Sequence, residues 1–247
     1  MHLTHFNNSF IGSGVPLQMV KINWMKKLLS LLAIVFCFTL QSFNPGNPTT
    51  KNESEIASFN LSEKLNINSK AFILAIKGYE KLKQLGKITN QRYLTIADMS
   101  QASSDPRLYI IDMEKQELLM QTFVAHGRNS GLLFAKQFSN LIGSFQSSLG
   151  FYITGKSYQG KHGKSLILKG VESGINDNAE QRAIVLHGAD YANKGFVNQQ
   201  GYLGRSLGCP AVPNHQVEAI IKAIQGASCL FVYAADKDYL NRSTLVK

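Results

Sequence analysis

The sequence of 247 residues is poor in cysteine and lacks the common zinc-binding signatures. It contains only three cysteines, with no C-x-x-C pair and no H-E-x-x-H. The histidines from His126 onward are too far apart in sequence to share one helix face. A catalytic zinc ion needs about three protein ligands, so we predict no metal, and nothing in the sequence indicates another cofactor.

The sequence also lacks an apolar run of transmembrane length. Its most apolar stretch, Leu28 to Leu40, follows Met25-Lys26-Lys27 and falls short of the roughly 20 residues that span a bilayer. A basic start before a short apolar run is typical of a signal peptide, here residues 25–42. Residues 1–24 would then be an upstream over-annotation. We predict export to the periplasm or cell envelope, with no stable membrane span after signal removal.

Two cysteines remain once the leader is removed. Cys37 lies within the leader, where a lipid anchor is an alternative, but Phe36 is larger than the residue that normally precedes a lipidated cysteine. Cys209 and Cys229 could form at most one disulfide in an exported protein. If Cys209 is reactive it must stay free, so we interpret Cys229, within an apolar run, as a buried core residue.

Acidic residues are scarce, and the formal net charge is +10. No acidic residue precedes Glu53. The lysines between residues 156 and 169 are interleaved with glycines rather than aromatic residues, and no nucleic-acid-binding motif accompanies them. We therefore predict no nucleic-acid partner. An ordinary solvated surface or attraction to an anionic wall polymer is consistent with this charge.

One globular domain over residues 61–247 suits the length and the apolar content of 44%. Residues 43–60 are rich in Asn, Pro, Thr, Ser and charge, which favours a flexible tether. Apolar residues recur at helical spacing over residues 69–85 and predict the domain's first helix, with Ser69 as its N-cap and Gly86 at its end.

Strand signals dominate the rest of the chain, without regular alternation of strands and helices. The sequence therefore predicts a mainly β fold with a few helices. A second amphipathic helix is predicted over Asn214–Gln225. The predicted strands are Tyr93–Asp98, Leu108–Asp112, Leu118–Val124, Phe145–Gly155, Ser165–Lys169, Ala183–His187 and Ser228–Ala234.

Cys209 and His187 are the candidate nucleophile and base. His187 ends a predicted strand, and Cys209 follows the glycine-rich segment G-R-S-L-G. An ordinary cysteine is only a few per cent thiolate at neutral pH, so a neighbouring imidazole would activate it. Gly208 permits a tight turn and could direct backbone N–H groups at a developing oxyanion. Taken singly, either residue is more often structural.

A serine nucleophile is the rival interpretation, because residues 204–208 match G-x-S-x-G around Ser206. A nucleophile elbow needs a strand before the serine and its histidine later in the sequence. Here a loop-like segment precedes Ser206, and His187 comes earlier. We therefore prefer Cys209 as the nucleophile and expect Ser206 to form hydrogen bonds within its loop.

The combination of His187-Gly188 with Ser206-Leu207-Gly208-Cys209 resembles the L,D-transpeptidase catalytic domain (YkuD-like) family of bacterial cysteine enzymes. The resemblance extends from about Leu108 to Tyr233 and implies a β-sandwich-like catalytic fold. Two positions depart from the commonest family pattern. Leu207 replaces a second histidine, and Pro210 replaces an arginine or asparagine, which suggests a divergent branch.

The resemblance also implies roles for residues around the candidate pair. The Gly188 carbonyl would orient His187, and the N–H groups of Leu207 to Cys209 would stabilise the oxyanion. Arg205 and Ser206 of the same segment would support the site, and Tyr191 would border the substrate cleft. His126 lies at the end of a predicted strand and could also border the cleft, with a loop histidine that binds the backbone as the alternative.

The substrate that the resemblance implies is a peptidoglycan stem tetrapeptide. Cys209 would form a thioester at the diamino acid in position three and release D-alanine. An amine of another stem would then complete L,D-transpeptidation, whereas water would give L,D-carboxypeptidase activity. Carbapenem-type inhibitors are expected to acylate Cys209. The alternative from another class is a non-catalytic wall-binding module.

Overall fold

A computed structural model describes residues 48–247, with side chains from residue 53 onward. The predicted signal peptide and the segment before it lie outside the described residues. Residues 48–247 form five helices and eight strands, and this confirms the mainly β prediction. Within the described part of the chain, no helix combines the length and apolarity needed to cross a membrane.

The first helix replaces part of the expected tether. Helix α1 covers Pro48–Lys64, and most of its described side chains are exposed. Pro48 is tolerated there because the first turn of a helix does not use its N–H. The tether prediction relied on polar composition, but Glu, Lys, Ala and Ile between residues 51 and 64 are compatible with a solvated helix.

Helix α2, Ser69–Gln84, lies where helical spacing predicted it. Its N-cap is Asn68 rather than Ser69, because the Asn68 side chain accepts hydrogen bonds from the N–H groups of Lys70 and Ala71. The helix ends as predicted before Gly86, which has φ +65°. The remaining helices are α3, Lys194–Gln200, α4, Val217–Ile224, and α5, Lys237–Arg242.

All eight strands lie in one mixed sheet with the order β3-β2-β1-β8-β4-β5-β6-β7. The β1/β8 and β6/β7 pairs are parallel, and the other pairs are antiparallel. A bridge from Ala125, just beyond β3, to Ala211 in β7 joins the two edges and makes the sheet barrel-like. The strands are β1 Tyr93–Asp98, β2 Leu108–Asp112, β3 Glu117–Thr122, β4 Gly150–Gly160, β5 Gly163–Gly170, β6 Val185–Ala189, β7 Ala211–Pro213 and β8 Cys229–Tyr233.

The segment from Phe145 to Leu149 is not the strand that its sequence predicted. Phe145 has φ +54°, a left-handed conformation that an extended strand excludes. The Gln146 carbonyl accepts a hydrogen bond from Arg182 rather than from a neighbouring strand. The strand β4 therefore begins only at Gly150 and continues to Gly160, where a two-residue turn leads into β5.

The core packs α2 and α4 against the middle of the sheet. Phe151 of β4 stacks on Phe231 of β8 with ring centroids 4.2 Å apart, and both side chains are fully buried. Burying one such aromatic side chain contributes about 1.5–3 kcal/mol. Cys229, at the start of β8, is also fully buried and free, as predicted.

The buried Glu172 connects β4 to the C-terminal segment. Its carboxylate accepts hydrogen bonds from the Phe151 N–H at 2.7 Å, the Tyr239 hydroxyl at 3.2 Å and the Ser243 hydroxyl. Burial raises the pKa of Glu172, although these donors act in the opposite direction. The carboxyl group therefore makes the stability of the fold depend on pH.

Candidate active site

Pairing between β6 and β7 brings His187, in β6, beside the segment that leads from Cys209 into β7. His187 is in register with Ala211, and the His187 N–H donates to the Pro210 carbonyl at 3.4 Å. Cys209 directly precedes Pro210. Both side chains line one cavity of about 520 Å³, which is a volume typical of ligand sites.

Cys209 is a free, half-buried thiol. Its S–H donates to the Ala183 carbonyl at 3.7 Å, and its sulfur accepts from the Val185 N–H at 3.5 Å. Burial raises the pKa of Cys209, while the Val185 N–H and the charge of Arg182 oppose that shift. The resting group is therefore a neutral thiol, and it needs a base to become a nucleophile.

His187 is 4% exposed and its tautomer is fixed by the backbone. Its Nδ1 lies 2.8 Å from the Gly188 carbonyl oxygen. A carbonyl can only accept, so Nδ1 carries the proton and Nε2 keeps the lone pair of a base. Burial lowers the pKa of His187, so the imidazole is neutral at neutral pH. His162 stacks on it with centroids 4.7 Å apart.

Position 188, whose carbonyl orients His187, has little room for a side chain. A Cβ added to Gly188 would lie 2.3 Å from the Asn214 Oδ1 and 3.2 Å from the Val217 Cγ1. The Asn214 side chain would have to move, and Val217 would have to shift slightly, to admit a larger residue. Glycine fits this position without either change.

Ser206 organises the loop before Cys209. Its N–H donates to the His126 carbonyl at 2.9 Å, and its own carbonyl accepts from the Arg128 N–H at 2.8 Å. Its hydroxyl donates to the Cys209 carbonyl at 2.6 Å and accepts from the Gly208 N–H at 3.0 Å. These bonds hold the hydroxyl within the loop, so Ser206 is positioned as a structural residue and not as a nucleophile.

The Gly208 N–H was expected to stabilise the oxyanion, but it donates a hydrogen bond to the Ser206 hydroxyl instead. It cannot face an oxyanion at the same time. Among residues 53–247, the N–H groups of Leu207 and Cys209 have no hydrogen-bond partner and remain as candidate donors. Gly208 still shapes the turn, since its φ is +124° and an added Cβ would lie 2.9 Å from the Gln146 carbonyl.

The two residues expected in the substrate cleft have different positions. Tyr191 lines the cavity, and burial raises its pKa to about 12, so its hydroxyl stays protonated. His126 is fully buried and does not line the cavity, contrary to the prediction. Its Nδ1 accepts from the Arg107 guanidinium at 2.7 Å, and burial lowers the pKa of His126 to about 4. His126 is a neutral core residue.

Arg182 is a residue of the site that the sequence did not indicate. It lines the cavity, and it donates four hydrogen bonds to the loop of residues 139–148. Its charge lowers the pKa of Cys209. No local motif marks Arg182, because its partners lie about forty residues earlier. Arg205, which had been predicted to support the site, also lines the cavity.

The tip of the β4–β5 hairpin closes one side of the cavity and was also missed. Tyr158, Lys161 and His162 line the cavity from this tip.

Within residues 53–247, no cluster of three or more His, Cys, Asp or Glu side chains could hold a metal ion. The side chains that line the cavity include a thiol, two imidazoles and three cations.

Comparison with known proteins identifies the family. A family model described as the L,D-transpeptidase catalytic domain matches residues 63–233. The chain belongs to the L,D-transpeptidase catalytic domain family. The match begins near the end of α1 and ends with β8, so it contains the whole cavity and both members of the Cys209–His187 pair.

Solved structures with similarity to this L,D-transpeptidase domain are distant. An L,D-transpeptidase from Mycobacterium smegmatis is 12% identical, with a TM-score of 0.37 over 58% of this chain and 59% of that chain. LD transpeptidase LdtMt1 in complex with imipenem is 14% identical, with a TM-score of 0.36 over 57% and 59%. The helical cell shape determining protein Pgp2 from Campylobacter jejuni is 14% identical, with a TM-score of 0.38 over 69% and 61%.

This chain therefore spans about six tenths of the length of the structures it matches. No curated protein matches the sequence.

Proposed function

We propose that the protein is an exported peptidoglycan L,D-transpeptidase that uses Cys209 as nucleophile and His187 as general base. The observation that carries the proposal is the fixed His187 tautomer in the cavity that Cys209 also lines. Nδ1–H donates to the Gly188 carbonyl at 2.8 Å, which leaves Nε2 basic. Cys209 lines the same cavity and precedes the residue whose carbonyl binds the His187 backbone.

In the first half-reaction, rotation about the Cys209 Cα–Cβ bond turns the thiol from Ala183 toward His187. Nε2 takes the thiol proton, and the thiolate attacks the carbonyl carbon of the bond between the third residue and D-alanine. The N–H groups of Leu207 and Cys209 stabilise the oxyanion, and one such donor contributes about 2.7–4 kcal/mol. Imidazolium then protonates the leaving amine, D-alanine departs, and a thioester remains.

In the second half-reaction, an amine of another stem peptide attacks the thioester carbon. Neutral His187 accepts the proton of the attacking amine, and the thiolate of Cys209 leaves. The thiol is restored when the imidazolium returns that proton. Water in place of the amine gives a trimmed tripeptide, so carboxypeptidase activity uses the same residues. Exclusion of water from the cavity decides between the two fates.

A carbapenem tests the acylation step directly. The strained β-lactam carbonyl should acylate Cys209 and leave an adduct that intact-protein mass spectrometry detects. Cys209→Ala should give no adduct, while Cys229→Ala is the matched control because that thiol is fully buried. His187→Gln should retain the fold and lose acylation. An adduct on Cys209→Ala, or unchanged acylation of His187→Gln, would refute these assignments.

A muropeptide digest tests the transfer step. Tetrapeptide stems incubated with the protein should release D-alanine and yield linked dimers between third-position residues. Tripeptides without dimers would identify a carboxypeptidase instead. Wall binding with neither product nor carbapenem adduct would identify a non-catalytic binding module.

A further inference from the structure

The cavity beside Cys209 has an unbalanced charge. Among the side chains of residues 53–247, three cations line it and no Asp or Glu does so. A cavity lined by one sign of charge concentrates ligands of the opposite sign, and low-dielectric walls strengthen this effect. The three cations are Lys161, Arg182 and Arg205.

Two of these three cations are free to bind a ligand. Arg182 already donates to four oxygens of the loop of residues 139–148. Lys161 forms no hydrogen bond or ion pair within residues 53–247, and Arg205 forms only a long hydrogen bond of 3.5 Å to the Arg128 carbonyl. The donors of Lys161 and Arg205, two residues of the cavity wall, are therefore almost unused by the rest of the described protein.

The two free cations approach the reaction centre from different segments. Lys161 lies in the β4–β5 turn beside His162, whose ring stacks on the general base. Arg205 directly precedes Ser206, which the His126 carbonyl and the Arg128 N–H hold in place. A ligand that reaches Cys209 passes through a cavity that both side chains border.

We propose that Lys161 and Arg205 form a subsite for a free carboxylate of the donor stem peptide, so that stems with this carboxylate amidated bind less tightly. The subsite rests on the proposed function for the identity of its ligand. A stem tetrapeptide with diaminopimelate in position three has a side-chain carboxylate and a terminal D-alanine carboxylate near the scissile bond. The subsite binds one of the two.

Equilibrium binding of synthetic tetrapeptides to Cys209→Ala tests the subsite without turnover. The first peptide has both carboxylates free, the second has the diaminopimelate side chain amidated, and the third has the D-alanine carboxyl amidated. One amidated peptide should bind roughly tenfold more weakly than the free peptide, as for the loss of about one charge-assisted contact. The amidated peptide that binds more weakly identifies the carboxylate that the subsite binds.

Charge removal at the subsite should abolish this discrimination. Lys161→Gln and Arg205→Gln, each combined with Cys209→Ala, should bring the Kd ratio toward one, and added salt should reduce it in the parent protein. Lys164→Gln is the matched control, since it removes a lysine from the same hairpin outside the cavity lining. It should leave the ratio unchanged.

Equal Kd values for all three peptides, or a ratio that both glutamine variants preserve, would overturn the subsite. Absence of binding by the free peptide would overturn it as well. Failure of the proposed function is detected separately, because turnover and carbapenem acylation are measured on the protein with Cys209 intact. A protein that links stems but binds the three peptides equally is a transpeptidase without this subsite.

Discussion

Replacing Arg182 tests how the loop of residues 139–148 affects Cys209, the proposed nucleophile. Arg182→Gln removes the charge and most of the donors, whereas Arg182→Lys keeps the charge and loses the planar fork. We expect the glutamine variant to lose stability and thiol reactivity together. The lysine variant should lose stability but keep most of the reactivity of Cys209.

The magnitude follows from the hydrogen bonds of Arg182. It donates to the Ser139 carbonyl at 2.7 Å, the Gln146 carbonyl at 2.6 Å, the Ser148 hydroxyl at 2.5 Å and the Ser144 hydroxyl at 3.3 Å. Hydrogen bonds of charged groups contribute about 1.5–3 kcal/mol each, but these share one half-buried group and are not additive. We expect Arg182→Gln to cost about 3 kcal/mol, which is roughly 6–12 °C in Tm for a domain of this size.

Two assays separate the two effects of Arg182. Thermal unfolding reports stability, and the rate of iodoacetamide alkylation as a function of pH reports the pKa of Cys209. Loss of the Arg182 charge should raise that pKa and slow alkylation at neutral pH, because this charge opposes the effect of burial. Arg242→Gln, which breaks an ion pair with Asp238, is the control. Wild-type melting and alkylation in Arg182→Gln would refute the reasoning.

Three other changes probe the fold and the site. Gly208→Ala should cost about 2–4 kcal/mol in thermal unfolding and slow carbapenem acylation, because φ +124° and the Gln146 carbonyl 2.9 Å away exclude a Cβ; wild-type behaviour would contradict this. His162→Ala should raise the pKa of His187, because it exposes the His187 ring to solvent and removes the electrostatic repulsion from His162. The acidic limb of the plot of acylation rate against pH should therefore move to higher pH. An unchanged acidic limb would exclude this coupling between the two histidines. Glu172 has a raised pKa in the folded protein. Its contribution to stability is therefore present below the unfolded pKa near 4.5 and is lost as pH rises through the folded pKa. Glu172→Gln should flatten this decline in the free energy of urea unfolding with pH, and parallel plots for the variant and the wild type would refute the reasoning.

Local sequence patterns predicted the elements whose burial repeats along a single segment. Residues 69–85 and 214–225 show helical spacing, and both correspond to helices packed on the sheet. The strand β7, Ala211–Pro213, has only three residues; Pro210 precedes it and Pro213 ends it. A segment this short and rich in proline does not resemble a strand in sequence, and its pairing with β6 is what identifies it. Residues 48–60 were predicted to be a tether and are helical instead. Polar composition alone does not distinguish a solvated helix from a flexible tether.

In the candidate site too, contacts between neighbours in sequence were predicted, whereas contacts between distant segments were missed. The family resemblance implied the contact between Gly188 and His187, and a motif of adjacent residues was enough to carry that resemblance. His126 was misplaced because its partner, the buried Arg107, lies on a different segment of the barrel-like sheet. The stacking of His162 on His187 depends on the length of the β4–β5 hairpin, which no motif encodes.

The electrostatics of the pair indicate when activation must occur. Burial raises the pKa of Cys209 and lowers the pKa of His187, so both shifts disfavour a resting thiolate–imidazolium pair. The thiol instead donates to the Ala183 carbonyl, away from the base. In the proposed reaction, proton transfer would then accompany attack on the donor, when the oxyanion would contact backbone N–H groups and the imidazolium could pass its proton to the leaving amine. The cavity therefore keeps Cys209 mostly as the neutral thiol, which reacts only slowly with ordinary electrophiles at neutral pH until a donor occupies the site.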